Sequence, residues 1–118
     1  MNPTWHEVCR QDDFPADGKF AAAIAGWRVL IVEKEGVHFA YNDRCPHQGA
    51  LLSPGRIRSG GVMCPLHGAR FKINTGECIG GAYAALRSFD VRVEGGMIAV
   101  ALPDEAPGPG DIPVMSSE

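Results

Sequence analysis

The chain has 118 residues, 45% of them hydrophobic, which gives room for one domain with a modest core. No apolar run approaches the roughly 20 residues of a membrane span, and a net charge of −3 without any Lys/Arg run argues against nucleic-acid binding. The stretch from Met1 to Glu7 has no basic segment followed by an apolar one, so the cytoplasm is the expected compartment, where four cysteines read as metal or redox chemistry ahead of disulfides.

Fifteen glycines and nine prolines predict frequent turns between short strands. Trp5–Cys9 alternates loosely, and turn formers follow from Asp12 to Gly18. Lys19–Ile24 is an expected strand that ends near Gly26. Trp27–Val32 is the strongest strand candidate, being β-branched and apolar almost throughout. Glu33–Gly36 is expected to turn and Val37–Tyr41 to return as a hairpin. From Cys45 to Ala85 glycine and proline break up any long element, and short strands fit only near Arg56–Arg58, Gly61–Cys64 and Ala69–Lys72. Such a segment buries little apolar surface, so a metal centre is expected to supply the missing free energy. Phe89–Val93 alternates strictly, Glu94–Gly96 turns, and Met97–Leu102 goes back. Trp5, Trp27, Phe39, Tyr41 and Phe89 are expected core residues. The predicted layout is all-β, with one domain over 1–103, a loop-rich insert over 44–85, and a flexible proline-rich tail over 104–118.

The residues that carry chemistry stand in Cys45-Pro46-His47 and, after sixteen intervening residues, in Cys64-Pro65-Leu66-His67. Two thiolates and two imidazoles are a transition-metal ligand set. A zinc finger usually takes two cysteines from one knuckle and two histidines from another. Here each loop supplies one of each, which suits a cluster of two distinct irons. The chain is also acid-free between Asp43 and Glu77, a stretch that holds Arg44, Arg56, Arg58, Arg70 and Lys72. This basic block is either solvated surface or a patch that steers the site towards acidic partners. Cys9 and Cys78 lie outside the motif and read as small apolar residues, and His6 and His38 as ordinary surface or half-buried side chains.

Cys45 to Ser53 and Cys64 to Phe71 resemble the two cluster loops of the Rieske ferredoxins, and Lys72 to Glu77 resembles the turn that follows. The resemblance runs from about Trp5 to Leu102. It implies the Rieske fold, an antiparallel β-sandwich or barrel-like base with an inserted cluster-binding subdomain. It further implies one [2Fe-2S] cluster, with Cys45 and Cys64 on one iron and His47 and His67 on the other. The flanking glycines and prolines then let backbone N–H groups approach the cluster sulfurs.

What is missing narrows the subfamily. Respiratory and photosynthetic Rieske proteins carry a membrane anchor and an extra cysteine in each loop, joined by a disulfide. Ala50 (or Gly49) and Leu66 stand at the matching positions. Those proteins also place a serine and a tyrosine near the second loop, where this chain has Ala69 and Phe71. Fewer hydrogen bonds to sulfur disfavour the added electron, so the expected potential is about −150 mV, and a value above about +100 mV contradicts the reading. The basic block opposes that trend, but exposed charge is screened. The third loop, Gly80–Leu86, lacks the usual proline, leaving open whether it is flexible or whether a side chain such as Tyr83 covers the cluster.

The low-potential soluble Rieske ferredoxins imply a role as one-electron carrier, not enzyme. The expected partners are transient: a flavoprotein ferredoxin reductase that oxidises NAD(P)H, and a terminal aromatic-ring-hydroxylating oxygenase. A monomer without nucleic-acid or membrane contacts is expected. Three rivals stand beside this reading. A structural zinc module uses the same donors. A catalytic oxygenase subunit needs a further two-histidine, one-carboxylate iron site, for which 118 residues leave no domain. A small subunit of another reductase, such as nitrite reductase, shares the fold but often lacks the four ligands that are present here.

Overall fold

The apolar run of the third strand has no polar face to offer solvent, and the structure buries it on both sides. The computed structural model describes residues 4–44, 51–52, 55, 57–58, 60–64, 69–80, 84–103 and 107. In chain order these form β1 (Thr4–Arg10), a short 3₁₀ turn (Gln11–Asp13), β2 (Lys19–Ile24), β3 (Trp27–Lys34), β4 (Val37–Asn42), β5 (Ile57–Arg58), β6 (Gly61–Met63), β7 (Arg70–Lys72), β8 (Ser88–Phe89), β9 (Val91–Glu94) and β10 (Met97–Leu102).

Three antiparallel sheets result among the described residues, in the orders β1-β10-β9, β2-β3-β4-β8 and β5-β6-β7. The first two make the base. The third, small sheet belongs to the glycine-rich insert. On β3, Trp27, Val29 and Ile31 point one way and join Ala40, Phe89, Ile98, Val100 and Leu102 in the core between the base sheets. Leu30 and Val32 point the other way and join Leu52, Val62, Phe71, Ile73 and Leu86 in a second core beneath the insert. One strand therefore anchors both cores, and the alternation of its side chains divides them. The Trp27 and Phe89 rings meet edge-on at 5.3 Å, with the Arg87 guanidinium 4.9 Å over the indole.

Three expectations need correction. The β3–β4 turn is two residues, not four: Glu33 and Lys34 stay paired with His38 and Val37. Glu35 and Gly36 both take positive φ, 54° and 81°, the tight turn whose twist matches the flanking strands. Phe89–Val93 is not one strand. Phe89 pairs with Ala40 in one base sheet and Val91 with Val100 in the other, so the chain changes sheets at Asp90, whose carbonyl accepts the Ala101 N–H at 2.9 Å. Trp5 is not core: it is 38% exposed on the outer face of β1, covered by the Arg92 guanidinium at 4.3 Å. Trp27, Tyr41 and Phe89 are buried as expected, and Phe39 is half-buried.

Tyr41 ties the base to the insert. Its hydroxyl donates to the Ile73 carbonyl at 2.5 Å across the second core. Burial pushes the phenol up to about 12. A free tyrosine ionises near pH 10, so the stabilisation is full below about pH 10 and fades as pH rises towards the folded value. Tyr41→Phe leaves the Ile73 carbonyl unpaired and is expected to cost about 1–3 kcal/mol at pH 7. Urea unfolding of both proteins at neutral and alkaline pH checks this, because the difference should shrink at high pH.

Among the described residues no helix is long and apolar enough to cross a membrane. Residues 104–118 lie outside the described residues apart from Pro107, which sits beside Gly26 in the β2–β3 turn.

Candidate metal centre

Of the four expected ligands, Cys64 is described, while Cys45, His47 and His67 lie outside the described residues. So do Gly49, Ala50, Leu66, Tyr83 and Arg56. No group of three metal-type donors is found among the described residues.

Cys64 follows directly on β6, and β7 starts six residues later. Its N–H donates to the Ala69 carbonyl at 2.7 Å, which closes the short loop expected to carry His67. Pairing of Gly61, Val62 and Met63 with Lys72, Phe71 and Arg70 fixes the two stems of that loop. The chain after β7 supports them from the far side, with Ile79 N–H donating to Arg70 carbonyl at 2.8 Å and Lys72 N–H to Glu77 carbonyl at 2.9 Å.

The Cys64 side chain is 2% exposed and makes no disulfide. It shares its core with Leu52, Val62, Phe71 and Leu86, and Ala69 packs against the same group. Cys78 also packs against this largely apolar wall, from a half-buried position. Thiolate sulfur is a soft donor of the kind an iron–sulfur centre takes. Phe71 is fully buried in that wall, and neither it nor Ala69 brings a hydroxyl to the sulfur. Neither of the two remaining described cysteines is fully buried. Cys9 is half-buried on β1, its thiol pushed up by burial and then by Asp13. Cys78 is half-buried, with its Sγ 3.7 Å from the Ile79 carbonyl.

Sequence reasoning missed Asp43. It ends the base sheet two residues before Cys45 and is 0% exposed. Its Oδ1 accepts the Leu52 N–H at 2.9 Å, so one side chain bridges the two ends of the first loop. The Arg28 guanidinium lies 3.6 Å from its other oxygen. The one available signal was position: Asp43 is the last acid before the acid-free stretch. Gly55 was also missed. It lies so close to the Met63 carbonyl that a Cβ atom there would stand 1.8 Å from the oxygen. Lys19 Nζ donates to the Gly55 carbonyl and ties this crossing to β2.

Around the site, Arg70 and Lys72 are exposed and Arg44 is half-buried. Lys72 lies 3.9 Å from Glu77, which offsets part of its charge.

The Rieske [2Fe-2S] domain family matches residues 4–90. The ferredoxin component of the alkene monooxygenase system of Xanthobacter autotrophicus is 36% identical over 80% of this chain and 78% of its own length. The 3-phenylpropionate/cinnamic acid dioxygenase ferredoxin subunit of Escherichia coli K12 is 40% identical over 67% of this chain and 76% of its own. The carbazole 1,9a-dioxygenase ferredoxin of Nocardioides aromaticivorans IC177 superposes with a TM-score of 0.78 at 29% identity, covering 85% of this chain and 99% of that one. A carbazole 1,9a-dioxygenase ferredoxin solved in complex with its oxygenase gives 0.76 at 27%, covering 87% and 95%. A nitrite reductase small-subunit structure from Mycobacterium tuberculosis, at 22% identity and a TM-score of 0.74 over 87% and 97% of the two chains, shares the fold alone. The buried free thiol, its apolar wall and the two-thiol, two-imidazole donor set fit the group that this family holds. The chain belongs to the Rieske [2Fe-2S] domain family, as a ferredoxin that holds a [2Fe-2S] cluster and carries electrons.

Proposed function

We propose that this ferredoxin passes single electrons from a flavoprotein, NAD(P)H-oxidising reductase to a terminal ring-hydroxylating oxygenase, as a monomer in the cytoplasm. The observation that carries the oxygenase assignment is the set of relatives: ferredoxin components of an alkene monooxygenase and of two aromatic dioxygenases. Two of these three systems are named for aromatic substrates, which favours an aromatic ring over an alkene.

Cys45, His47, Cys64 and His67 are the proposed ligands, the two thiolates on one iron and the two imidazoles on the other. When bound, the cluster takes up and gives back one electron. The chain's part is to exclude water from the thiolate side, which the wall around Cys64 does, and to present the loops to partners. Next to Cys64, exposed Arg70 lies across from half-buried Met63, a small mixed surface of the kind transient partners use.

Reconstitution tests the proposal. With NADH or NADPH, a flavoprotein ferredoxin reductase and a ring-hydroxylating oxygenase, hydroxylated product is expected only when this chain is present. The second-order rate of its reduction should fall with added salt, as basic steering requires. Product from an alkene monooxygenase but from no ring-hydroxylating oxygenase would overturn the aromatic assignment. A rate that is flat or rises with salt would remove the steering.

A further inference from the structure

Asp43 is a fully buried carboxylate, a residue type that is rarely buried without a partner. Its contacts run in two directions. Towards the base, its N–H donates to the Arg28 carbonyl at 2.8 Å and its Oδ2 faces the Arg28 guanidinium at 3.6 Å. Towards the insert, its Oδ1 holds the Leu52 N–H at 2.9 Å. Leu52 in turn accepts the Gly55 N–H at 2.8 Å. Gly55 is packed directly on the carbonyl of Met63, the residue before Cys64. One unbroken path of contacts thus joins the root of the first ligand loop to the root of the second. It passes through a charge two residues from Cys45.

We propose that Asp43 is a positioning residue for the cluster: its carboxylate sets the first ligand loop against the second through Leu52 and keeps a fixed negative charge at the foot of that loop. The proposal rests on the assignment of Cys45 and Cys64 as ligands. Reduction adds negative charge to the cluster, so a fixed anion nearby opposes it. Arg28 offsets that anion only in part, since its side chain is 38% exposed and screened by water while Asp43 is buried.

Redox titration, EPR of the reduced protein and the rate of cluster loss form the test. Asp43→Asn keeps the size and the acceptor but loses the charge. It is expected to raise the midpoint potential while losing its cluster at the wild-type rate. Asp43→Ala loses both, so it should raise the potential, change the EPR line shape and lose its cluster about tenfold faster. Arg28→Gln, which needs no folding of an Asp43 variant, should lower the potential. A plain structural brace would leave the potential of Asp43→Asn unmoved, and that result overturns the proposal. Cluster loss from Asp43→Ala at the wild-type rate overturns it as well. A wild-type protein without a Rieske EPR signal defeats the ligand assignment instead, so the two failures are distinguishable.

Discussion

Cys64→Ala is expected to give a colourless protein without bound iron, whereas Cys9→Ala and Cys78→Ala keep the red-brown colour and the full iron content. The argument is positional. Cys64 follows β6 inside the core under the insert, 2% exposed, with its N–H fixed to Ala69. Of the other described cysteines, Cys9 lies on β1 in the base, and Cys78 lies beyond β7, opposite Phe71, half-buried against the same core. Loss of a ligand also removes the free energy that orders a segment with small apolar content. The damage should stay local. Trp27, Val29, Ile31, Phe89, Ile98, Val100 and Leu102 form a core of their own between the base sheets. Far-UV circular dichroism of Cys64→Ala should therefore keep its strand signal, while proteolysis of the insert speeds up. Visible absorbance and iron analysis of the three variants decide the matter. A coloured Cys64→Ala protein would remove Cys64 from the ligand set.

How far the sequence could be read depended on the range of the interactions. The base hairpins are local. Lys19–Ile24 against Trp27–Lys34 and Val91–Glu94 against Met97–Leu102 follow from apolar patterning and short glycine turns, with no long-range information. The family was legible because ligand chemistry needs particular residues at particular spacings. The features that escaped are tertiary. Nothing local says that Asp90 is where one sheet hands the chain to the other. Nothing local says that Trp5 faces water under Arg92 while Trp27 is sealed at 1% exposure. Both are apolar residues on strands, and which face meets a second sheet decides between them. Asp43 and Gly55 escaped for the same reason. An acid before a loop reads as a turn residue until its partner at Leu52 is seen. A glycine in a glycine-rich segment reads as a turn until the backbone it touches is known.

Gly55→Ala is expected to be among the most damaging single-methyl changes in the chain. The new Cβ would stand 1.8 Å from the Met63 carbonyl oxygen, 3.0 Å from its carbon and 3.1 Å from the Leu52 oxygen. All three are backbone atoms, so no side chain can rotate away. Either β6 or the segment after Leu52 must move, and both belong to the roots of the proposed ligand loops. Overpacking ordinarily costs about 1–3 kcal/mol, and a clash this deep against backbone belongs at or above the upper end. Gly36→Ala is the informative control. Gly36 has open space around it but a φ of +81°, so only backbone strain opposes the methyl group. That strain is about 1–2 kcal/mol for a left-handed residue, and it falls in the β3–β4 hairpin of the base. Both variants should unfold earlier in urea than wild type. Gly55→Ala alone should also lose its cluster on purification, since it separates the loops proposed to hold it. Equal cluster content in the two variants would show that the Gly55–Met63 crossing does not set the distance between the ligand loops.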